Sequence, residues 1–528
     1  MRSLGSFPAR ALAFIGRHPS LVLVLPSLWF LLRYLPFWKD IDATVQLVAS
    51  AYDDNLLHFP PVYCFLARIP FLIADSLLHG NAPGIFERQH PSLIAVYSLV
   101  VVQHVGLWLS LRYFVFSFPA QNIGRGAISL LLASIASFYA FAHTCGSEAM
   151  TPITYFLVFG AGIRILLHRV TWRSWVIYAL AVFLAIGSRH INSILVMWLP
   201  GTAILLALWP FLQRFLMWVR PGRCSLPELQ TTGRSLVLTA FTALACSLIG
   251  LGGEKIVSKV LCHQFGIVER SSVGRTMSGR IATWVDRLSP EQKQSLLGSV
   301  QRFTNDPLVS LAIQFQINIG SYDKGTGEAL TVALKERGFQ GETLLAEQDQ
   351  LILQSSLCFY RTFNGGLIKE IMTDFWHGFF PTNDQGIAIS APKATFFSLE
   401  RIAQTPTDWI GISELPIFAP HIANATLERA TKDNMIRHWR WIPILVWTLL
   451  FIGIATWRTL RGVLPGSHLF IGLSLLAVGV MIYAANCVCI YAMPRYALPL
   501  LVSVIAFGTI VSASRTESDQ CPGVKTPG

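Results

Sequence analysis

The chain has 528 residues, of which 53% are hydrophobic and 13% charged, with a mean hydropathy of +0.51. Soluble globular chains carry about a quarter charged residues, whereas half that share spread over apolar runs of about 20 residues describes a membrane protein. A soluble enzyme, a secreted disulfide scaffold and a disordered regulator are excluded. The formal charge of +12 sits mostly at the ends of apolar segments, where it sets topology, and no nucleic-acid partner is expected.

The basic N-terminus (Arg2, Arg10, Arg17) leads into an apolar run from Leu21 to Phe37 with no small-residue cleavage site behind it, so the run reads as an uncleaved first span. Further candidate spans fall at about 92–116, 126–144, 150–168, 174–188, 192–213, 235–252, 441–457, 468–491 and 495–513. With the first at about 20–37, an all-α polytopic membrane protein of about ten transmembrane helices is expected. The basic residues beside alternate loops (Arg112 and Arg125; Arg164, Arg169 and Arg173; Arg214 to Arg234; Arg458 and Arg461; Arg515 and Lys525) place both termini in the cytoplasm.

On this topology an N-terminal module, 1–252, has a first external loop at 38–91. A mostly helical external domain covers 253–440, a C-terminal membrane region 441–514, and a cytoplasmic tail 515–528. Inside the external domain, Ser289-Pro290-Glu291 has the order of capping residue, proline and acid that starts a helix. Gly327 to Gly338 predicts another short helix ended by glycine. The aromatic run Phe375 to Phe380 reads either as a small core for this domain or as a segment dipping into the membrane interface. The nine cysteines include no CxxC pair. Cys246, Cys487 and Cys489 read as packing residues, and Cys262 and Cys358 share one compartment, which permits a bridge without requiring it.

The unusual polar residues gather on the outer side. Asp40 and Asp42 follow the first span; His58, Tyr63 and Arg68 lie in the same loop. Glu148 is in the next outer turn, Arg189 and His190 in the one after, and Arg495 at the outer end of the last hairpin. Taken singly, each has a structural explanation: a solvated helix end, a cap, an interfacial anchor or a hydrogen-bonded histidine. Together, five separated segments bring carboxylates, histidines and arginines to one membrane face, and charges near the hydrocarbon boundary mark function. A carboxylate can take a proton from an attacking hydroxyl. Arginines can neutralise a phosphate leaving group, and Asp42, Glu148 and His190 could hold a divalent cation for the same work.

Asp40-Ile-Asp42, His58-Phe-Pro-Pro-Val-Tyr63 and Ser147-Glu148 resemble the acidic first outer loop, the Pro-Pro-hydrophobic-Tyr element and the second-loop acid of membrane glycosyltransferases of the GT-C fold. The nearest in style are bacterial protein-mannosyltransferase and aminoarabinose-transferase-like enzymes. The resemblance covers roughly residues 20–200. It implies a polyprenyl-phosphate sugar donor, a glycan, lipid or protein acceptor, and transfer with inversion at the outer face of the membrane; the few lysines and the lack of a retention signal point to a bacterial plasma (inner) membrane. Asp40 maps onto the catalytic acid of the first loop, with Asp42 its close competitor, and Glu148 onto the second-loop acid. Two features depart from the pattern: the acids are spaced Asp-x-Asp, and the large outer domain lies between the seventh and eighth spans, ahead of only three more. The competing readings are a surface-polysaccharide polymerase or ligase, a flippase or transporter for a lipid-linked saccharide, and a non-catalytic scaffold. Transport is disfavoured because the spans are nearly charge-free at mid-depth.

Overall fold

The structure is a computed structural model that describes residues 6–33, 37–38, 61–79, 93–118, 120–167, 170–219, 233–264, 272–319, 325–377, 379, 444–489 and 494–513. Helices dominate it: α1 (Ser6–Arg17), α2 (Pro19–Arg33), α3 (Pro61–His79), α4 (Leu93–Val115), α5 (Asn122–Ser134), α6 (Ala136–Ala142), α7 (Met150–Leu167), α8 (Trp172–Ser188), α9 (Trp198–Val219) and α10 (Gly233–Gln264). After them come α11 (Ser272–Val285), α12 (Pro290–Gln301), α13 (Pro307–Ile319), α14 (Gly325–Glu336), α15 (Gly341–Arg361) and α16 (Gly365–His377). The series closes with α17 (Ile444–Leu460), α18 (Gly466–Cys489) and α19 (Leu498–Ala513). Among the described residues one pair of two-residue strands forms, β1 (Phe37–Trp38) parallel to β2 (Thr144–Cys145).

Five helical stretches are long and apolar enough to cross a bilayer: Tyr97–Val115, Ser147–Leu167, His190–Phe211, Ser235–Gln264 and Gly466–Cys489. Two bent pairs, α1 with α2 at 83° and α5 with α6 at 57°, raise the number to seven if each crosses as one broken span. This fits an all-α membrane protein but not the expected count of about ten. The shortfall is one of length: Trp172–Ser188, Ile444–Leu460 and Leu498–Ser512 are apolar but shorter than the roughly 20 residues a 30 Å hydrocarbon layer asks of an upright helix. A second departure lies in the stretch read as a loop, 38–91, where α3 forms. Its apolar run is interrupted by Arg68, Pro70 and Asp75, which breaks up the pattern by which a helix is read from hydropathy.

In lipid, helices gain little from hiding apolar surface, so close packing and buried polar bonds hold them together. Both are present here. Phe114, Phe138 and Phe156 meet edge-on or tilted with ring centroids about 5 Å apart, and Phe159 stands edge-on to Trp198. At Gly126 of α5 an added Cβ would lie 2.0 Å from the Leu12 carbonyl oxygen, so the backbones of α1 and α5 touch where they cross. Leu32, Phe211, Phe241 and Leu460 point outward and are more than two-thirds exposed, as lipid-facing side chains are.

A second core forms over α11–α16, built on Ile281, Trp284, Val300, Ile313, Leu334 and Phe359. Ser289 is the N-cap of α12 in a full capping box with Gln292. Its hydroxyl also donates to Glu291 and holds that carboxyl below its ordinary range. Gly338 ends the helix after Glu336 with φ +90°, as glycine can. This unit seats on α18: the Tyr483 hydroxyl donates to the Asp374 carbonyl at 2.9 Å, Tyr360 donates to the Val488 carbonyl, and Arg280 pairs with Asp374. The Phe375–Phe379 patch faces Tyr483 at 5.7 and 6.4 Å and joins the core of the spans. Neither sequence reading anticipated that role as a seam. Cys358 is a buried thiol with Sγ 3.9 Å from the Phe303 carbonyl, and no bridge joins it to Cys262. Burial pushes the Cys358 thiol up from its ordinary range.

Candidate functional site

Glu148 sits in a short 3-10 turn, Ser147–Ala149, that feeds directly into α7. A carboxylate at a helix N-terminus is favoured by the peptide dipoles, and this one is only 2% exposed. Arg189 takes extended backbone (φ −157°, ψ 122°) at the C-terminal cap of α8, which turns its side chain out of the helix line. Its Nη1 lies 4.0 Å from Glu148 Oε1, and its guanidinium covers the Tyr496 ring at 4.8 Å. Tyr496 is buried in the turn Pro494–Ala497 that starts α19. Three segments, two of them about 40 residues apart and the third about 300 residues further on, therefore meet at one point.

The backbone around this point is firmly held. Asn192 is fully buried, accepts from the Tyr155 hydroxyl at 2.8 Å and donates to the Ala185 carbonyl at 2.7 Å, tying the exit of α8 to α7. At Gly187 an added Cβ would lie 2.7 Å from Val62, so α3 comes into direct contact with the last turn of α8. The pairing of β1 with β2 brings the chain entering the acidic loop beside the chain entering the Glu148 turn: Trp38 opposes Cys145. Asp40 follows two positions after Trp38 in the sequence.

Of the expected site residues, Glu148 and Arg189 come together, with half-buried His190 next in the chain at the start of the turn His190–Met197. Arg495 occupies the position before Tyr496 in the same 3-10 turn; its side chain lies outside the described residues, as do Asp40, Asp42 and His58. Tyr63 and Arg68 are in α3, both buried. The Tyr63 hydroxyl donates to Gln103 Oε1 at 3.0 Å, and the Arg68 guanidinium lies over Phe65 at 4.4 Å. Among the described residues no three His, Cys, Asp or Glu side chains are grouped to hold a metal ion. The expected trio of Asp42, Glu148 and His190 includes one residue outside that set.

Beside the acid-bearing turn runs an apolar groove of about 910 Å³ between α3 and α4, closed on one side by Met150, Ile153 and Leu184. Tyr63, Leu66, Pro70, Ile73 and Leu77 line it along α3, and Val102, Gln103 and Gly106 along α4. Met150, which lines the groove, is two residues from Glu148, so the groove runs close to the acid-bearing turn. On α4, next to Gln103, His104 Nε2 and His143 Nδ1 are 3.0 Å apart, and His104 Nδ1 is 3.1 Å from the Ser27 hydroxyl. Sequence reasoning passed over Gln103, His104, Asn192 and Tyr496. The signal for the first two was available, since adjacent polar residues inside an apolar span need partners in lipid.

No protein-family model matches this chain, no curated protein is similar to it, and no solved structure matches its fold.

Proposed function

We propose that this chain is a membrane glycosyltransferase of GT-C type that moves a sugar from a polyprenyl-phosphate donor to a glycan, lipid or protein acceptor at the outer face of a bacterial plasma membrane. The observation that carries this reading is the meeting of Glu148, Arg189 and the Tyr496 turn beside an apolar groove. A lipid-linked sugar asks for that combination: an apolar channel for the chain, cations for the phosphate and carboxylates for the hydroxyls.

In the proposed reaction Asp40 takes the proton of the acceptor hydroxyl as its oxygen attacks the anomeric carbon. The bond from that carbon to the phosphate oxygen breaks, polyprenyl phosphate leaves, and the anomeric centre inverts. Arg495, with Arg189 in support, stabilises the charge growing on the phosphate. Asp42 and Glu148 orient the acceptor or a divalent cation, and His58, His190, Tyr63 and Arg68 line the approach. In this reading the three short apolar helices are also spans, giving about ten, with both termini cytoplasmic. The unit at 253–440 is then external and selects the acceptor.

The Ser27–His104–His143 chain favours a second reading, a carrier for a lipid-linked saccharide, because ionisable side chains linked through a span are a habit of transporters. Mass spectrometry of surface glycans and glycolipids from cells with and without the gene separates the two. A transferase changes which covalent products exist, whereas a carrier changes only which side of the membrane holds them.

A further inference from the structure

We propose that Gln103 is a positioning residue that links the apolar groove to the acid-bearing turn, so that a lipid chain filling the groove sets where Glu148 stands. The inference rests on the donor reading above and adds to it a route by which the donor lipid prepares the site.

Gln103 lies within an apolar helix and is 3% exposed, and a primary amide in such a place is costly unless both of its ends are bonded. Each end meets a different element. The carbonyl Oε1 accepts from the Tyr63 hydroxyl on α3 at 3.0 Å, and Nε2 donates to the Ala142 carbonyl at 2.9 Å. Ala142 is the last residue of α6, and the final carbonyls of a helix have no donor within it. Gln103 supplies one, and so fixes the point at which the chain leaves α6 for β2 and Glu148. The next residue of α4, His104, grips the next residue of that corner, His143, at 3.0 Å and is itself held by Ser27 of α2. Two consecutive side chains of α4 therefore hold the corner from which the Glu148 turn departs.

The other end of the amide reads the groove. Tyr63 and Gln103 both line it, and α3 is its more open wall: Ile69, Ile73 and Leu77 are 52, 56 and 81% exposed. From Tyr63 to Leu77 that wall is about 21 Å long at 1.5 Å per residue, so only a long chain contacts all of it. A chain that fills the groove seats α3 against α4 and shortens the excursions of the Tyr63 hydroxyl. The same amide passes that restraint to Ala142. The donor that satisfies the buried Oε1 is here a groove-lining hydroxyl, so the cap of α6 and the groove wall share one path of bonds.

The test is hydrogen–deuterium exchange of the full chain in nanodiscs, with undecaprenyl phosphate or geranyl phosphate as the probe. In the wild type, undecaprenyl phosphate should slow exchange in α3 and, by about fivefold or more, in residues 142–149, on the scale of one buried hydrogen bond. Geranyl phosphate should protect neither fully. In Gln103→Leu the long lipid should still protect α3 but leave 142–149 unchanged. Tyr63→Phe, which cuts the link at the groove and leaves the α6 cap in place, should do the same. Equal protection of 142–149 in wild type and both variants would overturn the coupling while leaving the donor reading intact. No protection of α3 by either lipid in the wild type would instead remove the donor groove and the coupling together.

Discussion

Two buried acid–arginine pairs in this molecule are built in opposite ways. Arg280 and Asp374 are in direct contact at the seam between the α11–α16 unit and α18, with Tyr483 bonded to the Asp374 carbonyl as well. Glu148 and Arg189 stand 4.0 Å apart, and the guanidinium rests on the Tyr496 ring. A closed pair in a desolvated seam holds two bodies together, and breaking it leaves a buried charge unbalanced. An open pair with an aromatic support leaves the arginine edge placed for another anion, since a guanidinium stacked on a ring keeps its planar donors available. Similar residues thus serve docking in one place and, on our reading, chemistry in the other.

The largest expected effect is on the docking side. Arg280→Ala should destabilise the protein by about 3–5 kcal/mol, the scale of a broken buried pair, and loosen the α11–α16 unit from α18. Thermal unfolding together with limited proteolysis between residues 265 and 272 is the check, and an unfolding midpoint like that of the wild type would erase the distinction between the two pairs. Next comes the chemistry. Asp40→Asn should keep expression and fold but lose about 100-fold or more of transfer, the usual scale for an acid–base group. If Asp42→Asn alone is inactive, the base is two residues further along. Arg495→Lys should retain part of the activity that Arg495→Ala loses, because lysine keeps the charge without the fork; equal, near-wild-type rates for both would place the phosphate elsewhere. The smallest effect belongs to the local devices of the α11–α16 unit. Ser289→Ala removes the capping box of α12 and should cost about 1 kcal/mol with donor turnover unchanged.

Some of this was legible in the sequence and some was not, for identifiable reasons. Uninterrupted apolar runs announced the helices at 97–115, 147–167 and 466–489, and Ser289-Pro290-Glu291 announced α12, because hydropathy and capping are local properties. That Glu148 and Arg189 share a place followed from counting which loops fall on one side. The helix at 61–79 escaped because Arg68, Pro70 and Asp75 interrupt its apolar pattern, although Arg68 finds the Phe65 ring in the fold. Gln103 and His104 stood out as adjacent polar residues in an apolar run, but what they hold was not legible because their partners lie 40 and 39 positions away. Tyr496 was passed over in favour of Arg495, and its use as a platform for Arg189 depends on how the turn before α19 meets the end of α8.

If Glu148 and Arg189 belong to one site acting on a lipid-phosphate sugar, the purified chain in liposomes carries out the transfer and depends on both residues. Polyprenyl-phosphate sugars would be supplied, and polyprenyl phosphate release measured for wild type, Glu148→Gln and Arg189→Ala, alongside the unfolding midpoint of each. The wild type should release polyprenyl phosphate, and Arg189→Ala should lose about 100-fold or more, the scale of a removed charge-stabilising donor. Glu148→Gln should also be impaired, and both variants should keep midpoints nearer to wild type than Arg280→Ala does, because the pair is 4.0 Å apart rather than in direct contact. Wild-type release rates in both variants, or no release by the wild type from any such donor, would contradict the shared site.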